Sequence, residues 1–232
     1  MDTDHGILLK KFDLWAELSV EEYKDLHVLD NYKEFKEGEY VYFEAFNHNQ
    51  IYFIKNGYIR IGFLDKDGNQ LVKDILKPGD FFGQIGLERN NLNGEFAQTV
   101  KSGVSLCSFT IENFTALLKN KPQLAIKYSK LIGLRMKRFE NRLINILQKD
   151  AKTRLLLFLE QLLKESKVRK QVSEKEVHIP NYLTHAEIGQ LIGTSRQTVT
   201  TLLNELEDKG IISTTRKELR FLDLPSLSLS TA

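Results

Sequence analysis

Arg196, Gln197, Thr201 and Asn204 are the residues of this chain whose types and spacing fit a definite chemistry, the reading of DNA base edges. Arginine can take guanine bidentately, Gln and Asn can take adenine, and a threonine methyl can touch the methyl of thymine. At about 100° per residue, Gln197, Thr201 and Asn204 share the outer side of a helix, with Arg196 and Thr200 on its flanks. Val199, Leu202, Leu203 and Leu206 follow the i, i+3, i+4, i+7 pattern and face inward. An ordinary solvated face carries Glu and Lys, whereas this one is short-chained and nearly uncharged, as a major groove requires.

The elements that position this face are legible on either side of it. Thr184 and Glu187 have capping-box spacing and start a first helix, in which Ile188, Leu191 and Ile192 fall on one face. Gly193 ends that helix, and Thr194 with Gln197 repeats the capping box at the start of the second. Behind them, residues 211–221 read as a β-hairpin whose tip carries Arg216 and Lys217, a basic point suited to phosphate contact. The stretch EIGQLIG, TSRQTV and LLNELEDKGII resembles the winged helix–turn–helix of the CRP/FNR family of bacterial transcription regulators, including the Ser195-Arg196-x-Thr198-Val199 start of the recognition helix.

Upstream, the period changes. Between residues 36 and 110 glycines and turn signals recur about every ten residues, and between them lie β-rich runs: Tyr40 to Phe43, Ile51 to Lys55, Tyr58 to Leu64, Gln70 to Leu76 and Val104 to Phe109. Asn56-Gly57 signals a type I′ hairpin, and Lys77-Pro78-Gly79-Asp80 a type II turn. Short strands so spaced predict an antiparallel jelly roll or barrel. The stretches IYFIKNGYIRIGFLDKDGNQ and LKPGDFFGQIGL resemble the β-roll of cyclic-nucleotide-binding domains. That resemblance implies an effector pocket around Gly83, Gln84, Ile85, Gly86 and Leu87, where a short helix holds the nucleotide phosphate on its amide groups, together with Glu95 and Phe96.

Here the chain departs from the cyclic-AMP pattern. Cyclic-AMP binders have glutamate at the position of Gln84 and an Arg-Ser or Arg-Thr pair at Glu95-Phe96. A glutamate in place of the arginine repels the phosphate by about 1–4 kcal/mol for charges about 4 Å apart near a surface, and Phe96 removes a hydroxyl donor. Cyclic AMP is therefore not expected in the usual pose. Phe81, Phe82 and Phe96 make the pocket more apolar, so it binds a different small molecule or is filled by its own side chains. Gln84 can hold a hydroxyl and Arg89 can serve as a cation, but neither is expected to restore the usual pose. No cofactor is expected, and the effector is left unassigned.

Other chemistries find too few residues. An iron–sulfur sensor needs about four cysteines, and Cys107 is the only one; in a strand-like run it reads as a small buried hydrophobe. His48 is the only histidine among the β-rich runs between residues 36 and 110, too few for a metal cupin, and its turn-like surroundings mark it as solvated rather than a haem ligand. No metal site, paired catalytic carboxylates, nucleophile motif or phosphate loop is present, so no enzyme is expected.

The remaining segments link these parts. Residues 13–30 read as one or two short helices, with Leu14, Trp15, Leu18, Tyr23, Leu26 and Leu29 at helical spacing and a capping box at Ser19 and Glu22. A helical stretch from Ile111 is interrupted at Pro122. Then Ala125, Ser129, Ile132, Met136, Phe139, Leu143 and Ile146 step by 4 and 3, a sustained heptad that favours a two-stranded coiled coil. Leu124, Tyr128 and Leu131 form a second stripe for packing on the roll. Gln148-Lys149-Asp150 reads as a hinge, with Asp150 capping a helix over 151–165. The run 166–176 is a loop or weak hairpin, 177–180 a short strand, and the tail from Pro225 carries no pattern.

The fold expected is thus α+β: an N-terminal antiparallel β-roll (1–118), a long dimerisation helix (119–148) and a C-terminal winged helix–turn–helix (149–232). Ile132, Met136, Phe139, Leu143 and Ile146 are the expected dimer interface. Charge follows the same division. Residues 1–118 carry net −7, 119–148 net +7 and 149–232 net +2, within a total of +2. An acidic front half is repelled by phosphate and is not the DNA-facing part. The basic middle either extends the field of the DNA-reading half or merely solubilises a long helix.

The resemblance implies a homodimer that binds palindromic double-stranded DNA and works with RNA polymerase. By position, Arg196, Gln197 and Thr201 match the family's base-reading residues, and Thr184, His185, Ser195 and Thr198 its phosphate contacts. Cyclic-AMP regulators carry glutamate and arginine at Gln197 and Thr201, so a different DNA site is expected. A constitutive DNA-binding protein whose roll is only a scaffold is the alternative. The start MDTDHGILLKKFDLW lacks an apolar core segment and the longest apolar run, Leu155 to Leu159, is too short to span a bilayer. No membrane association is expected, and the compartment expected is the cytoplasm.

Overall fold

The computed structural model describes residues 32–43, 49–87, 94–166 and 168–229. The helices read over 13–30, together with His48 and Arg89, lie outside the described residues. By internal contacts the chain forms two compact units, Met1–Met136 and Lys137–Ala232.

The first unit is built on one antiparallel sheet of six strands. They are β1 (Tyr32–Phe35), β2 (Tyr40–Phe43), β3 (Gln50–Leu64), β4 (Gln70–Leu76), β5 (Phe81–Gly83) and β6 (Glu95–Thr110). The order is β1-β6-β3-β4, with β2 also on β6 and β5 on β3. Side chains alternate between the two faces. Tyr52 and Ile54 join Ile59, Ile61, Phe82, Ala97 and Leu106 in the roll's interior. Ile51 and Phe53 join Phe81, Phe109, Phe114, Leu124 and Tyr128 on the other face, under the helices. Each large side chain so buried contributes roughly 1.5–3 kcal/mol.

The expected hairpin at Asn56-Gly57 does not form. The chain runs straight through it as one 15-residue strand, because β6 is long enough to pair with both halves. Asn56 pairs with Ser105 and Tyr58 with Val100, so the register shifts here and β6 carries the excess residues 101–104 opposite Gly57, with Val104 paired to Phe35 of β1. This is a bulged corner rather than a reversal. Gly57 has φ +81°, and a Cβ there would lie 2.6 Å from the Gly103 carbonyl oxygen. The sequence signal was a demand for positive φ, which a corner and a type I′ turn share. Gly103, one of the recurring glycines, likewise lies inside β6 rather than between strands. The Lys77–Asp80 turn closes as expected, with Asp80 N–H donating to the Lys77 carbonyl.

Two helices cover this sheet. The Thr110 hydroxyl caps α1 (Ile111–Asn120), and Pro122 opens the 27-residue α2 (Pro122–Gln148) at the position where its missing N–H costs nothing. Leu124 and Tyr128 are buried against the sheet and Leu131 packs beside them, as the second stripe predicted; Ala125 and Ile132, read as seam residues, are partly covered by the same cluster. Farther along, Met136 is 62% and Leu143 58% exposed.

In the second unit, Asp150 caps α3 (Ala151–Glu165), its carboxylate accepting from Thr153 N–H at 2.8 Å. Leu155, Leu156 and Leu159 are its buried face. A four-stranded sheet follows, in the order β7-β8-β10-β9: β7 (Lys170–Gln171), β8 (Val177–Pro180), β9 (Ile212–Thr214) and β10 (Glu218–Phe221). Between β8 and β9 lie α4 (His185–Ile192) and α5 (Arg196–Asp208). The tail, read as unpatterned, forms α6 (Leu224–Leu229) and buries Leu227. Its pattern was hidden because six residues give too few turns to show a period.

Candidate nucleic-acid interface

Local chemistry fixes both ends of the helix–turn–helix. At α4 the capping box is complete: Thr184 Oγ1 accepts from Glu187 N–H, and Glu187 Oε2 accepts from Thr184 N–H at 2.7 Å. Gly193 ends the helix in the left-handed region at φ +70°, where a residue with a Cβ is strained.

The start of α5 differs from expectation. Thr194 and Gln197 do not form a capping box. Ser195 is the cap, its hydroxyl accepting from Thr198 N–H at 3.0 Å while the two hydroxyls meet at 2.8 Å. The turn is one residue longer than read, since the cap needs an extended backbone and Ser195 has it, at φ −77° and ψ 154°. Gln197 is therefore left out of the cap and stands exposed beside Arg196, Thr201 and Asn204, while Val199, Leu203 and Leu206 are buried. The outer face is as the periodicity predicts.

His185 is held by a relay. The Thr200 hydroxyl lies within hydrogen-bond distance of both His185 Nδ1, at 2.8 Å, and the Arg196 carbonyl, at 3.0 Å, which ties the first turn of α4 to α5.

The wing is present as β9 and β10. Thr215 Oγ1 accepts from Glu218 N–H at 2.9 Å and shapes the tip, where Arg216 and Lys217 are both exposed. Glu207 on α5 accepts from both the backbone N–H and the hydroxyl of Thr214, which braces the wing against the recognition helix. Thr184, His185, Ser195 and Thr198 lie at the N-terminal ends of α4 and α5, the positive ends of the helix dipoles.

In the roll the expected pocket residues do not form one set. Among the described residues, Gln84–Leu87 make a single turn, closed by Leu87 N–H to the Gln84 carbonyl at 3.1 Å, where a short helix was implied. Gln84 is buried, but Ile85 and Leu87 pack with the cluster under the helices. Two side chains of α2 hold this stretch: Tyr128 Oη donates to the Ile85 carbonyl and Arg135 Nη1 to the Phe81 carbonyl, each at 2.6 Å.

Glu95 and Phe96 point opposite ways, as neighbours in a strand must. Glu95, 4% exposed, accepts from Tyr42 Oη and from Lys73 Nζ, both at 2.7 Å. Lys73 in turn lies 5.0 Å over the Phe63 ring. Burial, then the adjacent Glu95 carboxylate, push the Tyr42 hydroxyl far above its ordinary range, so it stays a donor. Phe96 crosses to the other face over Gly62 and meets the ring of Tyr40 edge-on at 6.0 Å. Phe81 also faces the helices, which leaves Phe82 alone of the three phenylalanines in the interior cluster. Tyr42 and Lys73 were missed because 53 and 22 residues separate them from Glu95, and no local pattern joins them.

Cys107 is buried, and burial pushes its thiol up to about 11, which suits a packed hydrophobe. Among the described residues no group of three or more His, Cys, Asp and Glu could hold a metal, and no helix is long and apolar enough to cross a membrane.

Comparison with known proteins matches both halves. Residues 32–121 fit the model of the cyclic nucleotide-binding domain, and 153–229 that of the Crp-like helix-turn-helix domain. The cAMP-activated global transcriptional regulator CRP of Pasteurella multocida is 27% identical over 164 residues, 70% of this chain and 76% of that protein. The global nitrogen regulator of Nostoc sp. is 26% identical over 186 residues, 80% of this chain and 82% of its own. Among solved structures, a CooA double mutant from Carboxydothermus hydrogenoformans superposes with a TM-score of 0.74 at 23% identity, over 100% of this chain and 97% of that one. FixK2 from Bradyrhizobium japonicum gives 0.72 at 19% identity, over 87% and 96%, so both share the fold. With the nucleotide-binding fold and the Crp-like helix–turn–helix in this order on one chain, the protein belongs to the CRP/FNR family, whose members are transcriptional regulators rather than enzymes.

Proposed function

We propose that this regulator acts as a homodimer on palindromic double-stranded DNA, with its roll answering a small-molecule signal other than cyclic AMP. The observation that carries the second part is Glu95. It stands where the resemblance puts a phosphate-neutralising arginine, and it is already bound by the chain's own Lys73 and Tyr42. A cyclic phosphate entering there meets a buried carboxylate and must break that pair.

The dimer is supported by the outer stripe of α2. Met136 and Leu143 stand in solvent and Ile146 is 38% exposed, continuing the heptad that runs through Ile132 and Phe139. A contiguous apolar stripe on a long helix marks an interface. A symmetric pair presents two recognition helices about 34 Å apart, one turn of DNA. Arg196, Gln197 and Thr201 read bases; Thr184, His185, Ser195, Thr198, Arg216 and Lys217 hold the backbone. The proposal includes a contact with RNA polymerase and a cytoplasmic setting, as the family implies.

Titration calorimetry of the purified protein with cyclic AMP and cyclic GMP tests the effector reading; tight binding of either overturns it. Selection from a random duplex library tests the DNA reading, with a palindromic consensus expected. A constitutive regulator is the second reading, favoured by the self-satisfied Glu95. Operator affinity that is the same with and without cell-extract metabolites decides for it.

A further inference from the structure

Within the second unit, one side chain gathers three separate pieces of backbone. Arg154 stands in the first turn of α3. Its Nη1 donates to the carbonyls of Ile146 at 3.1 Å and Lys149 at 3.2 Å, and its Nη2 to the carbonyl of Gly193 at 3.1 Å. Ile146 O is one of the carbonyls that the end of α2 leaves without an intrahelical partner. Lys149 is in the joint between α2 and α3, and Gly193 is the turn between α4 and α5. A guanidinium suits this task, since its N–H groups are held in a rigid planar fork.

A second, apolar contact repeats the connection. A Cβ on Gly193 would lie 3.3 Å from Ile146 Cγ1 and 3.4 Å from its Cδ1, so the Ile146 side chain rests on the turn itself. The expected hinge at Gln148-Lys149-Asp150 is thus bridged by two contacts, one polar and one apolar.

We infer that Arg154 is a positioning residue for operator recognition: it fastens the helix–turn–helix turn to the last turn of α2 and so fixes where each recognition helix stands relative to the dimer seam. This rests on the homodimeric DNA-binding reading above. Arg154 acts through Gly193 and Ile146. The caps that build α4 and α5, at Thr184 and Ser195, do not involve it. Its loss leaves the reading of each half-site intact and frees the angle and distance between the two.

The test uses the full-length protein, Arg154→Ala and Arg154→Lys, and duplexes carrying two copies of the selected half-site with spacers that change one base pair at a time. Each base pair moves the second half-site by about 3.4 Å and about 35°. The wild type is expected to prefer one spacer over its neighbours by about tenfold or more, and Arg154→Ala by less than about threefold, with affinity lost at the best spacer and base preference within a half-site unchanged. Arg154→Lys, which keeps the charge and loses the fork, falls between them. An Arg154→Ala profile like the wild type overturns the inference, as does loss of half-site base preference, which marks a merely structural role. Should Arg154→Ala fail to fold, Arg154→Lys decides: a flattened profile with a native thermal transition supports the inference, and an unchanged one overturns it. A wild type that enriches no paired half-sites overturns the proposed function and this inference together; one that does, with unchanged variants, overturns this inference alone.

Discussion

On α5 the groups that matter stand in solvent, and in the roll they are buried and bound to one another. Arg196, Gln197 and Thr201 project from a helix held by Val199, Leu203 and Leu206, and no tertiary partner is needed to aim them. Glu95 has two oxygens and both are taken, one by a tyrosine from β2 and one by a lysine from β4. The first surface is exposed along its length. The second has supplied its own counter-charge. Similar folds thus do not fix the chemistry carried on them.

The widest separation between the two regions is expected at Glu95. Glu95→Ala leaves the Tyr42 hydroxyl buried without its acceptor and Lys73 without its carboxylate, and is expected to cost about 2–3 kcal/mol of stability in urea unfolding. Glu95→Gln, which keeps an acceptor, is expected to cost less. Stability unchanged within about 0.5 kcal/mol for Glu95→Ala would dissolve the contrast.

Arg196→Ala is the counterpart on α5. Its folding stability is expected to stay within about 0.5 kcal/mol of the wild type, while DNA affinity falls by about 1–3 kcal/mol and specificity relaxes at one base pair per half-site. An identical consensus from binding-site selection on both proteins would show that Arg196 reads no base.

The smallest effect sharpens the comparison at the cap. Ser195→Ala is expected to cost about 1 kcal/mol of stability, seen as a lowered thermal midpoint. Because Thr194 plays no part in the cap, Thr194→Ala is expected to change little; equal losses from both would restore the capping box between Thr194 and Gln197.

How much was legible follows from distance along the chain. The first capping box, the Gly193 stop, the Asp150 cap, the basic wing tip and the buried stripes of α2 and α5 each depend on residues within a few turns of one another, and these were read correctly. The misreadings have the same root. Asn56-Gly57 announced positive φ but not what would lie across from it, and only β6 made it a corner. The resemblance places Glu95 and Phe96 in one pocket, whereas strand pleating sends them to opposite faces.

The sequence by itself determined the order of elements, the exposed face of α5 and the family's outline, because periodicity, caps and turn residues act over four to seven positions. The tertiary structure alone decided which charges neutralise one another in the roll and which carbonyls Arg154 draws together. Those pairings join residues that are 22 to 53 positions apart at Glu95 and up to 39 apart at Arg154. Coulomb attraction and hydrogen bonding act through space, and nothing along the chain records who will be near.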